Sequence, residues 1–206
     1  TTNYNTIHNL TIDLLAADPF FGGWGTKRFQ NLAFVAPPSG VVPPTIMGAM
    51  LTHQVGDVTL TAMVFDPEDR SGDYWVDDLF KTVVNGSVGA TWRGSLGGRA
   101  TSVGITATGS SADGIDFEDI LVPPGLVAGN REGSYNIAVQ FGHDLLGDVK
   151  AQSQIGVYAK AAIADGNPNL IQSSFIAGFS GRGILPGRTM DRFGIGAYFY
   201  NFSDAL

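Results

Sequence analysis

The stretch SVGITAT, residues 102–108, carries an apolar side chain at every second position: Val103, Ile105 and Ala107 alternate with Ser102, Gly104, Thr106 and Thr108. Successive side chains of a β-strand point to opposite faces, so this spacing predicts a strand with one apolar face and one small, polar face. The same period of two extends outward in both directions. Val58, Leu60, Ala62 and Val64 alternate with Thr59 and Thr61, and Val88, Ala90 and Trp92 alternate with Gly89, Thr91 and Arg93. Ile137, Val139 and Phe141 stand against Asn136, Ala138, Gln140 and Gly142, and Ile155, Val157, Ala159 and Ala161 against Gly156, Tyr158 and Lys160. At the end of the chain Phe193, Ile195, Ala197 and Phe199 oppose Arg192, Gly194, Gly196, Tyr198 and Tyr200.

The composition of the two faces separates architectures. A soluble sandwich turns large aliphatics inward and covers its outer face with Lys, Glu and Arg. Here the polar faces hold Thr, Ser, Gly, Gln and Asn, which suits a water-filled lumen with lipid on the apolar side. Met63, Phe65 and Ile176 interrupt the pattern by falling on the polar face. Strands are expected over residues 4–16, 45–54, 58–66, 85–94, 99–108, 134–143, 149–164, 170–180 and 191–202. Most are about as long as the 9–11 residues of a tilted transmembrane strand. Short turns at 55–57, 95–98 and 144–148 alternate with long connections at 17–42, 67–84 and 109–133, the asymmetry of outer-membrane barrels. The expected fold is therefore an all-β, antiparallel transmembrane β-barrel in which residues 1–206 form a single domain. About nine strands is an odd number where bacterial single-chain barrels have even ones, so the chain is expected to be a piece of a larger barrel.

Composition narrows the function. Gly supplies 28 of 206 residues, about twice the usual share. Of the 19 acids 16 are Asp, a balance that favours turns over helices. A net charge of -7 with 12 scattered basic residues leaves no basic run to neutralise a nucleic-acid backbone. The absence of cysteine removes disulfides, thiol nucleophiles and Cys-ligated zinc. His8, His53 and His143 sit on separate strands without metal-ligand spacing, and no nucleophile-elbow, phosphate-loop or dinucleotide motif follows a strand. The carboxylates Asp66, Glu68 and Asp69, and likewise Asp113, Asp116, Glu118 and Asp119, do not follow the calcium-loop pattern. No cofactor, metal or catalytic residue is expected, and the chain does not read as an enzyme.

Three motifs add a resemblance that periodicity does not supply. YAKAAIADGNPN at residues 158–169, ILPGR at 184–188 and DRFGIGAYFY at 191–200 resemble the OprB-type carbohydrate-selective porins, and DPFFGGWGTKRFQNLAF at 18–34 and MVFDP at 63–67 are similar to segments of that family in the same order. Thr189 and Met190 stand where the family more often has Pro and Asp. The resemblance implies a 16-stranded barrel of the bacterial outer membrane that passes sugars by facilitated diffusion. Its partners would be mono- or oligosaccharides and outer-membrane lipid, and it would be a homo-oligomer such as a trimer, or a monomeric barrel. The alternative from another class is a secreted β-sandwich or lectin-like carbohydrate-binding module.

Candidate sugar contacts follow from side-chain chemistry. Asp165, Asn167 and Asn169 in ADGNPN offer donors and acceptors to hydroxyls, though Asp165-Gly166-Asn167-Pro168 also has the chemistry of a plain tight turn. Lys160 falls on the lumen face by parity, where its charge escapes the cost of about 2–4 kcal/mol on the lipid side. Trp24 and Trp75 in long connections offer rings for stacking on sugars, or for packing the loops against the wall. Arg93, Arg99, Arg182, Arg188 and Arg192 gather near the short-turn ends, where interfacial anchoring competes with a lumen constriction as their role.

Overall fold

The computed structural model describes residues 47–66, 79–119, 130–148, 153–169, 171–189 and 191–205. Eight long strands make one antiparallel sheet: β1 (Met47–Val55), β2 (Val58–Asp66), β3 (Asn85–Leu96), β4 (Arg99–Ser110), β7 (Ser134–Asp148), β8 (Ser153–Ala164), β9 (Ile171–Arg182) and β10 (Arg192–Phe202). A separate two-stranded ribbon, β5 (Gly114–Ile115) with β6 (Asn130–Arg131), lies in the connection after β4 beside the 3-10 turn Phe117–Asp119. Each long strand pairs with the next long strand in sequence, giving an up-and-down meander with no crossover among the described residues. The expected strand at residues 4–16 falls outside the described residues.

Two-residue hairpins join β1 to β2 and β3 to β4. Gly97 and Gly98, at φ of 60° and 75°, both take the left-handed conformation that a tight I′-type hairpin demands, so Leu96 and Arg99 close the ladder without splaying it. The PGR motif has a similar reason. Pro186 and Gly187 are the central residues of a turn closed by Arg188 N donating to Leu185 O at 3.0 Å, and Gly187 sits at φ 74°. Arg188 pairs with Asp191, and Gly183 N donates to Asp191 O at 2.9 Å, which seals the base of the loop.

One expected turn is displaced. Residues 144–148 continue β7 rather than reverse it, with a register shift between Asp144 and Leu146 and pairing that resumes down to Asp148 opposite Ser153. Leu145 is the extra residue of a bulge, a local irregularity that turn chemistry at Gly147 and Asp148 imitates in sequence.

The faces are sorted opposite to those of a soluble sandwich. Val88, Ile105, Val139, Phe175, Ile195 and Phe199 are all exposed, whereas Ser87, Thr106, Thr108, Gln140, Lys160, Ser174 and Ser180 on the other face are buried. Each is about half exposed, and leaving those six apolar side chains so in water would forfeit together about 5–10 kcal/mol, comparable with a domain's whole stability. Such a wall suits a lipid surround. Met63 and Phe65, which interrupt the polar face, are buried within it.

Large and small residues interlock on the buried face. Tyr158 reaches across β9 to β10: a Cβ at Gly178 would lie 2.7 Å from its phenol oxygen, and one at Gly196 would also meet that atom. Gln140 similarly lies over Gly104 of the adjacent strand. Gly104, Gly178 and Gly196 are the spaces that long neighbours occupy.

Candidate functional site

The register lays the buried polar face out in transverse rows. One runs Thr91, Gly104, Gln140, Lys160 and Ile176 across β3, β4, β7, β8 and β9. The next places Thr106, Ala138, Ala162 and Ser174 side by side, and a third Thr108 beside Asn136. Lys160 thus lies beside Gln140, and both are buried. Ser87 Oγ and Thr108 Oγ1 share a hydrogen bond of 2.9 Å. Gln140 Oε1, Ser174 Oγ and Ser180 Oγ have no hydrogen-bond partner among the described residues. The face therefore carries hydroxyls, a carboxamide and an ammonium, the groups that exchange hydrogen bonds with neutral polyols or with water.

The ADGNPN turn is at the opposite end of the sheet from the tight hairpins, beside the connection after β4. Asp165 Oδ2 accepts from Tyr135 N at 3.0 Å, and Asp165 Oδ1 accepts from Asn169 Nδ2 at 2.7 Å. Asn167 reaches outward: its Nδ2 donates to Asp116 Oδ1 at 2.7 Å while its Oδ1 accepts from Phe117 N at 3.2 Å. Gly114 packs so closely on Pro168 that a Cβ there would meet the ring. The turn and the 3-10 segment are thus buttoned together by one carboxamide. The bond from Asn167, with the Glu118 amide second, holds the Asp116 carboxyl below its ordinary pKa; partial desolvation opposes them and Arg131 adds a smaller downward pull.

At the same end, Asp66 is fully buried at the close of β2 and accepts from Phe80 N at 3.1 Å. Phe80 takes a φ of 61°, a strained conformation for a bulky residue that this bond helps to fix.

The expected site residues divide by location. Lys160 belongs to the middle of the polar face, and Asp165, Asn167 and Asn169 to the long-connection end. Arg192 opens β10 at the tight-turn end, directly opposite Arg182 in the ladder. Arg93 and Arg99 are also at that end, with Arg188 in the connection between β9 and β10. Trp24 and Trp75 lie outside the described residues. Gln140 and the Asp116–Asn167 link were not singled out by sequence. Parity alone would have marked Gln140 as a large amide on the polar face, though not as the neighbour of Lys160, and residues 51 positions apart carry no local sign that they meet. Among the described residues no group of His, Asp and Glu is placed to hold a metal.

No curated protein sequence matches the chain. Among solved structures it is similar to the high-pH structure of Pseudomonas putida OprB, with a TM-score of 0.64 and 12% identity over 78% of this chain and 40% of that one. The chain thus spans well under half the length of that protein, and the likeness supports the fold. The model of the carbohydrate-selective porin, OprB family, matches residues 9–206, and the chain belongs to that family.

Proposed function

We propose that the chain is part of the wall of a passive bacterial outer-membrane channel through which sugars diffuse. The observation that carries this reading is the buried polar face around Lys160 and Gln140, backed by an exposed apolar face, in a chain of a carbohydrate-selective porin family. Hydroxyls, an amide and an ammonium along the lumen offer a sugar successive weak hydrogen bonds in place of water. Lys160 adds a positive potential that biases accompanying ions. Asp165, Asn167 and Asn169 would meet the sugar at the mouth with the lone pairs their internal bonds leave unused. Trp24 and Trp75 would supply stacking, Arg192 would line the other end, and the outside of the wall would face lipid or a second copy of the protein. The internal bonds of Asp165 and Asn167 favour a second role for that turn, a brace for the mouth loop, and the two roles are compatible.

The test uses the complete protein in planar bilayers. Sugars should reduce the ionic current saturably, with a dissociation constant on the order of millimolar, about -4 kcal/mol, because a channel must release what it admits. Lys160→Met, which keeps volume and removes charge, should shift the reversal potential in a salt gradient toward cations. A current indifferent to sugar would leave a general diffusion pore, and an unchanged reversal potential would remove Lys160 from the pathway.

A further inference from the structure

The exposed face, apolar over most of its area, carries a polar island at its tight-turn end. Thr101 of β4 pairs with His143 of β7, and both share the face of Val103 and Phe141. Arg99 precedes Thr101 by two residues on the same face and is the diagonal neighbour of His143, a relation that puts Cα atoms about 7–8 Å apart. Apolar and aromatic residues surround the island. The His143 ring stacks on Phe141 at 6.3 Å and 21°. The Trp92 indole lies over Gly94, the residue opposite Thr101. Val157 flanks His143 on β8, and in the same row Phe179 meets Phe193 edge-on at 6.3 Å. Trp and Phe at one level on the outer wall form the girdle that marks the border between acyl chains and headgroups.

The hydrogen bonds of the island settle which atoms remain for a ligand. Thr101 Oγ1 lies 3.1 Å from Arg99 O and 2.8 Å from His143 Nδ1. A hydroxyl has one proton, so both contacts are satisfied together only if Thr101 donates to the carbonyl and His143 Nδ1–H donates to Thr101. An uncharged ring held in this way presents Nε2 as a bare acceptor, and no described residue supplies a donor to it. Arg99 spends one N–H on Gly147 O at 3.3 Å, and its other donors have no acceptor among the side chains that the structure describes. The border of the membrane thus meets a guanidinium seeking oxygen and, beside it, an imidazole nitrogen seeking a proton donor.

We propose that Arg99 and His143, aligned by Thr101, form a headgroup site on the outer wall for a phospholipid that carries a phosphate next to a primary ammonium, with the phosphate on Arg99 and the ammonium on His143 Nε2. The proposal rests on the porin reading only in requiring that this face meet lipid. A zwitterionic headgroup matches the pair because donor and acceptor sit side by side. A quaternary ammonium has no N–H for Nε2, and the hydroxyls of a glycerol headgroup offer it only a neutral hydrogen bond, about half as strong as the charge-assisted one from an ammonium.

Native mass spectrometry of the complete protein, delipidated and then offered defined lipids at about pH 8, where an imidazole is ordinarily uncharged, reads the outcome. Phosphatidylethanolamine should be retained several-fold over phosphatidylcholine and phosphatidylglycerol. His143→Phe should abolish the preference while keeping residual binding of all three, and Arg99→Gln should lower binding of all three. Thr101→Val, which frees the ring to rotate, should weaken the preference without touching either ligand group. Equal retention of the ethanolamine and choline lipids by the parent, a preference that survives His143→Phe, or stronger retention of the glycerol lipid would each overturn the assignment. Release of bound lipid by inorganic phosphate alone would mark a simple anion site and overturn it as well. Conductance of the same preparations in bilayers reports the channel separately, so an open pore without lipid preference sinks this site and spares the porin reading.

Discussion

Gly196 and Tyr158 give the residue scale its clearest test, because the two are on strands separated by β9 and meet where a phenol oxygen lies over a missing side chain. A Cβ at Gly196 would press on that oxygen, with Ala177 O at 3.3 Å and the Tyr158 ring carbon at 3.5 Å as its next nearest neighbours. Gly196→Ala is expected to destabilise the folded wall by about 1–3 kcal/mol, the usual cost of overpacking. In a Tyr158→Phe background, where the clashing oxygen is gone, the same substitution should cost much less, and urea unfolding from lipid vesicles of the four proteins measures the coupling. Gly178 is the internal control. Its Cβ would also meet backbone at Ile195 O and the Gly196 Cα, so Gly178→Ala should stay costly in either background.

At the scale of elements, the brace between the ADGNPN turn and the 3-10 segment explains why a tight turn carries so many side-chain groups. Asn167→Ala removes both ends of the link at once. Loss of the neutral bond to the Phe117 amide, about 0.5–1.5 kcal/mol, should speed hydrogen exchange at that amide up to roughly tenfold. The same change should raise the Asp116 carboxyl toward its ordinary value, since the bond from Asn167 is the foremost cause that lowers it. The sign of the pH dependence follows. A carboxyl lowered by folding stabilises the brace above its unfolded pKa of about 3.9, and that contribution is lost as pH falls through the lower folded value. Carboxyl chemical shifts across the acid range would measure both proteins. A parent Asp116 titrating at or above the ordinary value would remove the brace.

Elements were legible in sequence to the degree that they are periodic. β2 spans the residues that alternation in VTLTAMVF marks, β3, β4 and β9 end two residues past the expected 94, 108 and 180, and β10 ends at the expected residue 202. The end of β7 was not legible. A bulge at Leu145 shifts the parity, and residues 144–148, with Gly147 and Asp148, then read as a turn. Site chemistry was legible only where parity speaks: it puts Lys160 on the polar face, but contains nothing about which strand lies beside β8. The neighbours Gln140 and Ile176 come from register, a property of pairing rather than of local sequence. Likewise His143 reads as a solitary histidine until the ladder brings Thr101 opposite it.

For the whole molecule, the meander sorts its connections into two ends. Tight hairpins at Gly56 and at Gly97–Gly98 share one end with the connection at 149–152 and the sealed loop before Arg192, whereas 67–84, 111–133 and the ADGNPN turn share the other. In outer-membrane barrels short turns face the periplasm and long loops the exterior, so Asp113 should be outside the cell and Gly97 inside the envelope. Ser111 is a poor labelling site despite its position, because its Oγ accepts from Val84 N at 2.9 Å and ties the loop after β4 to the one before β3. Asp113 is exposed and suits the purpose. A cysteine at Asp113 should react with an impermeant maleimide on intact cells, and a cysteine at Gly98 only after the outer membrane is ruptured. Gly98 sits at positive φ, so the hairpin variant needs its own control of folding, and Leu96→Cys in the adjoining strand supplies one. Labelling of Gly98 and Leu96 variants on intact cells, with Asp113 protected, would invert the wall. It would also carry the Arg99 and His143 island to the opposite leaflet, so the same experiment fixes which leaflet's lipids that island meets.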